Sequence, residues 1–183
     1  MSAKLSLLTG LGASVGGVGV WGIYKLTNPK NEVKTFTDEE YQLIFKKFKS
    51  ESTFITSLQT KIPTITNSST NIEGGKATKA WCVGNDSLNA KKWCIQLPKT
   101  IREKINKSLV TDWAAKVKSI KDTDKPNLLN DLKTIKSDLS AVSEDENSRN
   151  ALKGWCESKL DTRLINDDGD AIYTKVEARC LEK

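Results

Sequence analysis

The residues of this 183-residue chain with the most defined chemistry are its four cysteines, Cys82, Cys94, Cys156 and Cys180. The chain contains no histidine. Ser-His-Asp and Cys-His nucleophilic mechanisms and histidine metal sites are therefore excluded. A nucleophilic cysteine would need a nearby lysine or a helix N-terminus to lower the pKa of its thiol. This favours a structural role for the thiols over a catalytic one.

The number and spacing of the cysteines leave three arrangements open. An even number in a chain with an export-like N-terminus predicts two disulfides. A zinc site of four thiolates usually contains two CxxC pairs, and this chain has none. Four buried, reduced thiols are the remaining alternative. Pairing sequence neighbours would close the shortest loops, but four cysteines allow three connectivities and the sequence does not choose among them.

Three of the four cysteines directly follow a tryptophan, although the chain has only five tryptophans. The dipeptides are Trp81-Cys82, Trp93-Cys94 and Trp155-Cys156. One explanation is a large indole packed beside a disulfide in the core. Another is the duplication of one small unit within the chain.

Residues 5–24, which begin at Leu5, form an uncharged segment between two lysines. As a helix it would be about 30 Å long, the thickness of the hydrocarbon core of a bilayer. Trp21 and Tyr24 stand at its end, where amphipathic aromatic side chains favour the membrane interface. We expect an uncleaved, single-span membrane anchor.

Two other interpretations of this segment are less favoured. A cleaved signal peptide needs small residues at a cleavage site, and Val20 is followed by Trp21. A buried helix of a soluble domain would pack weakly, because half of the segment is Ala, Gly, Ser or Thr. Gly12 and Gly16 form a GxxxG pair that can bring two membrane helices together, although so glycine-rich a segment also contains this spacing by chance.

Capping patterns and apolar periodicity predict helices in the rest of the chain. Thr37 with Glu40, Thr100 with Glu103 and Ser143 with Glu146 match the capping box. Apolar stripes predict helices behind the first box, over residues 100–121, over residues 126–142 and from residue 143 onward. Residues 64–78 are predicted to form a loop because they are rich in Ser, Thr, Asn and Gly. The sequence of the final segment, residues 171–181, does not distinguish a strand from a helix.

The predicted fold class is mainly α: a single N-terminal transmembrane helix followed by a small helical bundle. A short β-hairpin near the cysteines is an open alternative, because residues 84–87 resemble a turn. The expected organisation is a membrane anchor over residues 1–25, a linker over 26–35 and a helical ectodomain over 36–183.

Lys99, Arg102, Lys104 and Lys107 are candidates for a basic face that contacts phosphate groups or anionic lipid. The alternative is an ordinary solvated helix face. No aromatic residues interleave with these cations, so nucleic acid is not an expected partner. Residues 167–170 resemble part of a calcium loop, but position 175, where a bidentate Glu is required, holds Lys175. We expect no metal and no cofactor.

The layout of the chain resembles that of large paralogous families of uncharacterised proteins in haemotropic mycoplasmas. The resemblance lies in the N-terminal segment MSAKLSLLTGLGASVGGVGVWGIY, the lysine-rich body, the three Trp-Cys pairs and the late Arg179-Cys180. It implies a bacterium without a cell wall, attachment to the membrane, and surface display with antigenic variation. It implies no catalytic residues.

These features predict a membrane protein without catalytic activity, whose body lies outside the cell as an interaction or antigen domain. Its expected partners are membrane lipid through the N-terminal helix and a component of the host surface, while its oligomeric state is open. The alternative is a module on the cytoplasmic side that binds anionic lipid or nucleic acid through the basic helix. The lysines that flank the anchor favour the cytoplasmic side, whereas the cysteines favour the outside.

Overall fold

The computed structural model describes residues 36–182, which belong to one compact unit, Asn31–Lys183. The predicted anchor and linker, with Leu5, Gly12, Gly16, Trp21 and Tyr24, lie outside the described residues. No helix within residues 36–182 has the length and apolar character needed to cross a membrane.

The described part of the chain is helical, as predicted, and its only β-type pairing consists of two isolated bridges, Thr100 with Arg163 and Leu109 with Leu181. The helices are α1 (Asp38–Phe48), α2 (Ser52–Gln59), α3 (Asn71–Cys82), α4 (Leu88–Trp93), α5 (Ile101–Lys104), α6 (Trp113–Ser119), α7 (Lys125–Leu132), α8 (Glu146–Lys159) and α9 (Gly169–Cys180), with a 3₁₀ turn at Asp122–Asp124.

Two apolar cores divide these helices into two lobes. The N-terminal lobe, α1 to α4, is built on the aromatic face of α1. The predicted capping box at its start is confirmed: the amide of Glu40 donates to Thr37 Oγ1, and the amide of Thr37 donates to Glu40 Oε2. The apolar face predicted behind it is buried, and it consists of Tyr41, Ile44, Phe45 and Phe48.

The prediction of a loop over residues 64–78 is wrong, because the residues from Asn71 onward form the helix α3, which packs closely on α1. The helix α3 begins at Asn71 behind a second capping box, formed by Thr70 and Glu73. A Cβ atom on Gly74 would overlap the ring of Phe45, and one on Gly75 would lie 2.5 Å from Cγ of Gln42. The two glycines are therefore contact residues between helices, although in sequence they resemble a turn.

The region of the first two cysteines is a pair of helices joined by a turn, so the alternative of a β-hairpin is wrong. The helix α3 ends at Cys82, and Gly84 takes a φ of 72°, a conformation that is strained for other residues. Ser87 then caps α4, its Oγ accepting a hydrogen bond from the amide of Ala90 at 3.2 Å.

The C-terminal lobe contains α5 to α9 around a second core, to which α1 contributes Leu43. The helix α8 buries Ser148, Ala151, Leu152, Trp155 and Cys156, and α9 packs beside it. The final segment, left open between strand and helix, is helical over Gly169–Cys180. The buried side chains of this core are Leu43, Ile101, Val117, Leu128, Leu132, Leu139, Val142, Ala151, Leu152, Trp155, Cys156, Leu160, Leu164, Val176 and Cys180.

The prediction of one long helix over residues 100–121 is wrong. The short helix α5 ends at Lys104, and the chain then runs beside the C-terminal segment. The amide of Val110 donates to the carbonyl of Cys180 at 2.9 Å, and the amide of Glu182 donates to the carbonyl of Ser108 at 3.1 Å. These tertiary hydrogen bonds replace those of a continuous helix, while Ile101 and Val117 of the predicted stripe are still buried.

Two further predictions fail at helix ends. The helix predicted over residues 126–142 ends at Leu132, and the turns that follow still bury Leu139 and Val142. The helix predicted from residue 143 begins at Glu146, because Asp145 replaces Ser143 as its cap. The amide of Ser148 donates to Asp145 Oδ1 at 2.7 Å.

Replacing Gly74 by alanine tests the contact between α1 and α3. We expect Gly74→Ala to lower the free energy of unfolding by about 2 kcal/mol, because the new methyl group forces the ring of Phe45 out of its place. Gly154→Ala, also inside a helix, is the matched control. Its Cβ would meet only Cγ2 of the exposed Ile135, at 3.1 Å, so gains in helix propensity should leave its stability unchanged or raised. Equal losses in urea unfolding would contradict the packing assigned to Gly74.

Candidate functional site

Each lobe brings one pair of its cysteines together. Cys82, the last residue of α3, is bonded to Cys94, which follows α4, at an Sγ–Sγ distance of 2.02 Å. Cys156 of α8 is bonded to Cys180, the last residue of α9, at 2.05 Å. Of the three connectivities open in the sequence, the structure adopts the one with the shortest loops. No thiol of the chain is then free for a nucleophilic or metal-binding role.

The tryptophans beside the cysteines are core residues, in agreement with an indole packed near each disulfide. The ring centroids of Trp81 and Trp93 are 5.7 Å apart, and that of Trp93 lies 5.2 Å from the ring of Phe54. Trp155 is 1 % exposed, and the guanidinium of Arg179 stands 5.5 Å from its ring centroid. The duplication of one unit stays a prediction, although both lobes join a Trp-Cys helix to the end of the next helix.

The residues predicted to form a basic face are mostly engaged with carboxylates. Lys99 Nζ lies 3.3 Å from Glu40 Oε1. Burial acts to raise the pKa of the Glu40 carboxyl, but hydrogen bonds from Thr37 and Lys99 outweigh it and hold that pKa below its usual value. The contact joins the two lobes, so Lys99 serves the fold.

The other three members of this group are spread around α5. Arg102 Nε donates to Asp161 Oδ1 at 2.9 Å, and Lys104 Nζ lies 3.3 Å from Asp170 Oδ1 and 3.8 Å from the ring centroid of Tyr173. Lys107 is exposed after the end of α5. Because acids neutralise three of the four cations locally, the group does not present an open cationic surface.

A cleft between the lobes lies next to Lys104 and encloses a cavity of 210 Å³. Its walls are Leu43, Lys46, Lys47, Leu97, Pro98, Lys104, Leu164 and Asp170. Lys46 Nζ donates to the carbonyls of Leu164 at 2.6 Å and Asn166 at 2.9 Å, and it lies 3.1 Å from Asp170 Oδ2. The ammonium of Lys46 is thus committed to holding the 164–170 segment of the C-terminal lobe against α1. Lys46 is not among the candidate residues predicted from the sequence, because a lysine on an amphipathic helix resembles an ordinary exposed lysine.

A second polar cluster joins α7 to α9. Lys175 Nζ donates to Asp131 Oδ1 and Oδ2 at 3.0 and 2.9 Å, and Arg179 Nη1 also donates to Oδ2. Burial acts to raise the pKa of Asp131, but the hydrogen bonds from Lys175 and Arg179 outweigh it, and the pKa lies below its usual value. Arg179 is at the same time the cation beside Trp155, so this cluster stabilises the helix that carries Cys180.

Within residues 36–182, no group of three or more Cys, Asp or Glu side chains is placed to hold a metal ion. The aspartates of the sequence that resembles a calcium loop lie at the start of α9, where Asp170 pairs with Lys46 and Lys104. Comparison with family models, curated proteins and solved structures gave no match to this chain.

Replacing Lys46 tests the link between the lobes. We expect Lys46→Met to lower the free energy of unfolding by about 2 kcal/mol, because two carbonyl oxygens and one carboxylate lose a charged donor. Lys47→Met is the control at the next, exposed position and should change stability by less than about 0.5 kcal/mol. Equal effects of the two variants in urea unfolding would show that Lys46 does not hold the lobes together.

The cluster around Asp131 predicts a dependence of stability on pH. Because the pKa of Asp131 is lowered by folding, its contribution is fully present above its unfolded value, near 3.8, and is lost as the pH falls through the folded pKa. Between pH 5 and pH 2 the melting temperature of the wild type should therefore fall more steeply than that of Asp131→Asn. Asp138→Asn, at an exposed carboxylate, should follow the wild-type curve. Parallel curves for wild type and Asp131→Asn would refute this role.

Proposed function

We propose that this chain is a membrane-anchored protein whose disulfide-bonded helical domain is displayed outside the cell. There it acts by contact, as an interaction or antigen domain, and not as an enzyme. The observation that carries the proposal is the pairing of all four cysteines, one pair in each lobe.

Two disulfides in one small domain favour an oxidising compartment. Disulfides form and persist outside the cytoplasm, where reducing systems do not act on them. Each lobe has only a modest apolar core, so a covalent link between two of its helices adds the stability that a small core lacks. On this argument the two disulfides support placing the domain outside the cell, although the lysines that flank the anchor favour the cytoplasmic side.

The charged groups support binding over catalysis. The carboxylates with lowered pKa values, among them Glu40, Asp131 and Asp170, are held by lysine, arginine or helix-cap hydrogen bonds. A glycosidase that works without histidine needs one carboxyl group with a raised pKa facing a second, ionised one. The pKa values of Glu40, Asp131 and Asp170 are lowered instead of raised, and these carboxylates form ion pairs.

The membrane attachment in this proposal rests on residues 5–24, which are uncharged and long enough to span a bilayer as a helix. The resemblance to the paralogous families of uncharacterised, N-terminally anchored proteins of haemotropic mycoplasmas supports display on the cell and suggests the host surface as the place of contact. Both remain proposals.

The alternative, a cytoplasmic module that binds anionic lipid or nucleic acid through its basic helix, has less support. Lys99, Arg102 and Lys104 are engaged by Glu40, Asp161 and Asp170. A phosphate group would have to displace these carboxylates before it met the cations.

Intact cells offer the direct test. A membrane-impermeant amine reagent should label exposed lysines of the domain, and alkylation without reduction should leave all four cysteines unmodified, because each disulfide removes two thiols. Labelling of lysed cells is the control for total reactivity. Four alkylated cysteines together with lysines protected in intact cells would refute external display and favour the cytoplasmic module.

A further inference from the structure

Most of the exposed large apolar side chains of the described residues lie along α3 and the loop that follows it. Ile72 is 60 % exposed, Val83 is 52 % exposed and Leu88 is 84 % exposed. The remaining one, Ile135, is 44 % exposed and belongs to the C-terminal lobe. Single exposed apolar residues are common on proteins, but three within 17 positions of one lobe form a surface to explain.

The spacing along α3 places Ile72 and Val83 in one stripe with two lysines. Ile72, Lys76, Lys79 and Val83 follow each other at intervals of four, three and four residues, which is the spacing of a single helix face. The opposite face of α3 packs on α1 through Gly74 and its neighbours. The stripe therefore points away from the core.

The loop with Val83 and Leu88 is held in one conformation. The bond between Cys82 and Cys94 closes it, Gly84 turns the chain, and Asn85 Oδ1 accepts a hydrogen bond from the amide of Ser87 at 3.1 Å. Leu88, the first residue of α4, is thus presented to solvent at the end of this constrained turn and cannot easily fold back onto the core. On α4, Lys91 and Lys92 follow it at i+3 and i+4 and so share its side of the helix.

The stripe lies close to Asp38, near the beginning of the described part of the chain. Asp38, the first residue of α1, pairs with Lys79 at 2.8 Å. It also lines a groove of 450 Å³ together with Ile72 and Lys76. Twelve residues lie between Lys25, which ends the proposed anchor, and Asp38, and a chain of that length spans at most about 45 Å when extended. The start of α1 therefore lies beside the part of the stripe that contains Ile72, Lys76 and Lys79.

We propose that Ile72, Val83 and Leu88 rest on the phospholipid surface of the membrane in which the chain is anchored. The proposed contact region, named here the α3 face, is defined as these three residues together with Lys76 and Lys79 of α3 and Lys91 and Lys92 of α4. The inference rests on the proposed anchor, and it concerns a surface distinct from the basic group around α5.

The distance between the exposed apolar side chains favours a bilayer over a protein as the partner of this surface. Ile72 and Val83 are eleven residues apart, about 16 Å along the helix, with lysines between them. Protein interfaces concentrate their binding energy in a contiguous, desolvated centre, which separated side chains do not supply. A membrane interface accepts apolar side chains one by one among cations, as interfacial helices show.

Charge has a secondary role in this contact. Asp38 holds Lys79, and Glu51 holds Lys92 at 2.8 Å, so two of the four lysines are already neutralised. The apolar side chains then dominate, and we expect anionic lipid to strengthen the contact only modestly.

The experiment uses the full chain reconstituted into phosphatidylcholine vesicles, with and without phosphatidylserine. A photoreactive residue is introduced as Leu88→p-benzoylphenylalanine or Val83→p-benzoylphenylalanine, and Ile135→p-benzoylphenylalanine is the matched control on the other lobe. After irradiation, lipid adducts are quantified by mass spectrometry. We expect about tenfold more adducts at positions 88 and 83 than at position 135, the factor that corresponds to burying one such side chain.

Two results would overturn the inference: adduct yields at positions 88 and 83 no higher than at 135, or crosslinks to a second protein chain in place of lipid. An alkaline carbonate wash of the same vesicles separates this failure from that of the proposed function. Release of the full chain by the wash refutes the membrane anchor. Retention of the chain without lipid adducts refutes only the docking of the α3 face.

Discussion

A covalent link between two helices is the constraint on which each lobe depends. Domains of this size bury a smaller share of their surface than larger ones, and their cores alone supply little net stability. The structure compensates in the same way twice: a helix that carries Trp-Cys is bonded to the end of the next helix in the same lobe. The indoles of Trp93 and Trp155 then fill the space beside each link and are almost completely buried. In the loop-entropy description, each link stabilises the fold by removing freedom from the unfolded chain, by about 2–4 kcal/mol.

The contact between the lobes has a different physical character. Its apolar part includes Leu43, which α1 lends to the second core, and Leu97, which packs against both cores; ion pairs and a lysine on backbone carbonyls add the polar part. Glu39 pairs with Arg163, Glu40 with Lys99, and Lys46 with Asp170. Side chains that resemble a solvated helix face in the sequence therefore serve as the connection between two cores. In the same way, carboxylates from distant parts of the chain pair with the basic residues Lys99, Arg102 and Lys104.

The sequence was most informative where a local rule acts on a local segment. The capping box of Thr37 and Glu40 and the aromatic stripe behind it predicted α1 correctly, because the hydrogen bonds and the buried face both lie within the helix. The prediction failed where distant residues compete for the backbone. The segment after Lys104 has the apolar period of a helix, yet its amides and carbonyls bond to Cys180 and Glu182. Gly74 and Gly75 resemble a turn because glycine favours turns in general, whereas here a missing side chain admits the ring of Phe45. Ser143 lost its capping role to Asp145, whose carboxylate stands at the correct position for the amide of Ser148.

Composition and pattern alone determined the helical class of the described part, the absence of histidine chemistry and the identity of the core faces, since these depend on residue type and on spacing along one helix. The pairing of the cysteines, the breaks in the predicted helices and the neutralisation of Lys99, Arg102 and Lys104 were decided only by tertiary structure. Each of these requires knowing which of several chemically equivalent partners lies within bonding distance, and residues as far apart in the chain as Lys46 and Leu164 reach that distance only when the two lobes have packed together.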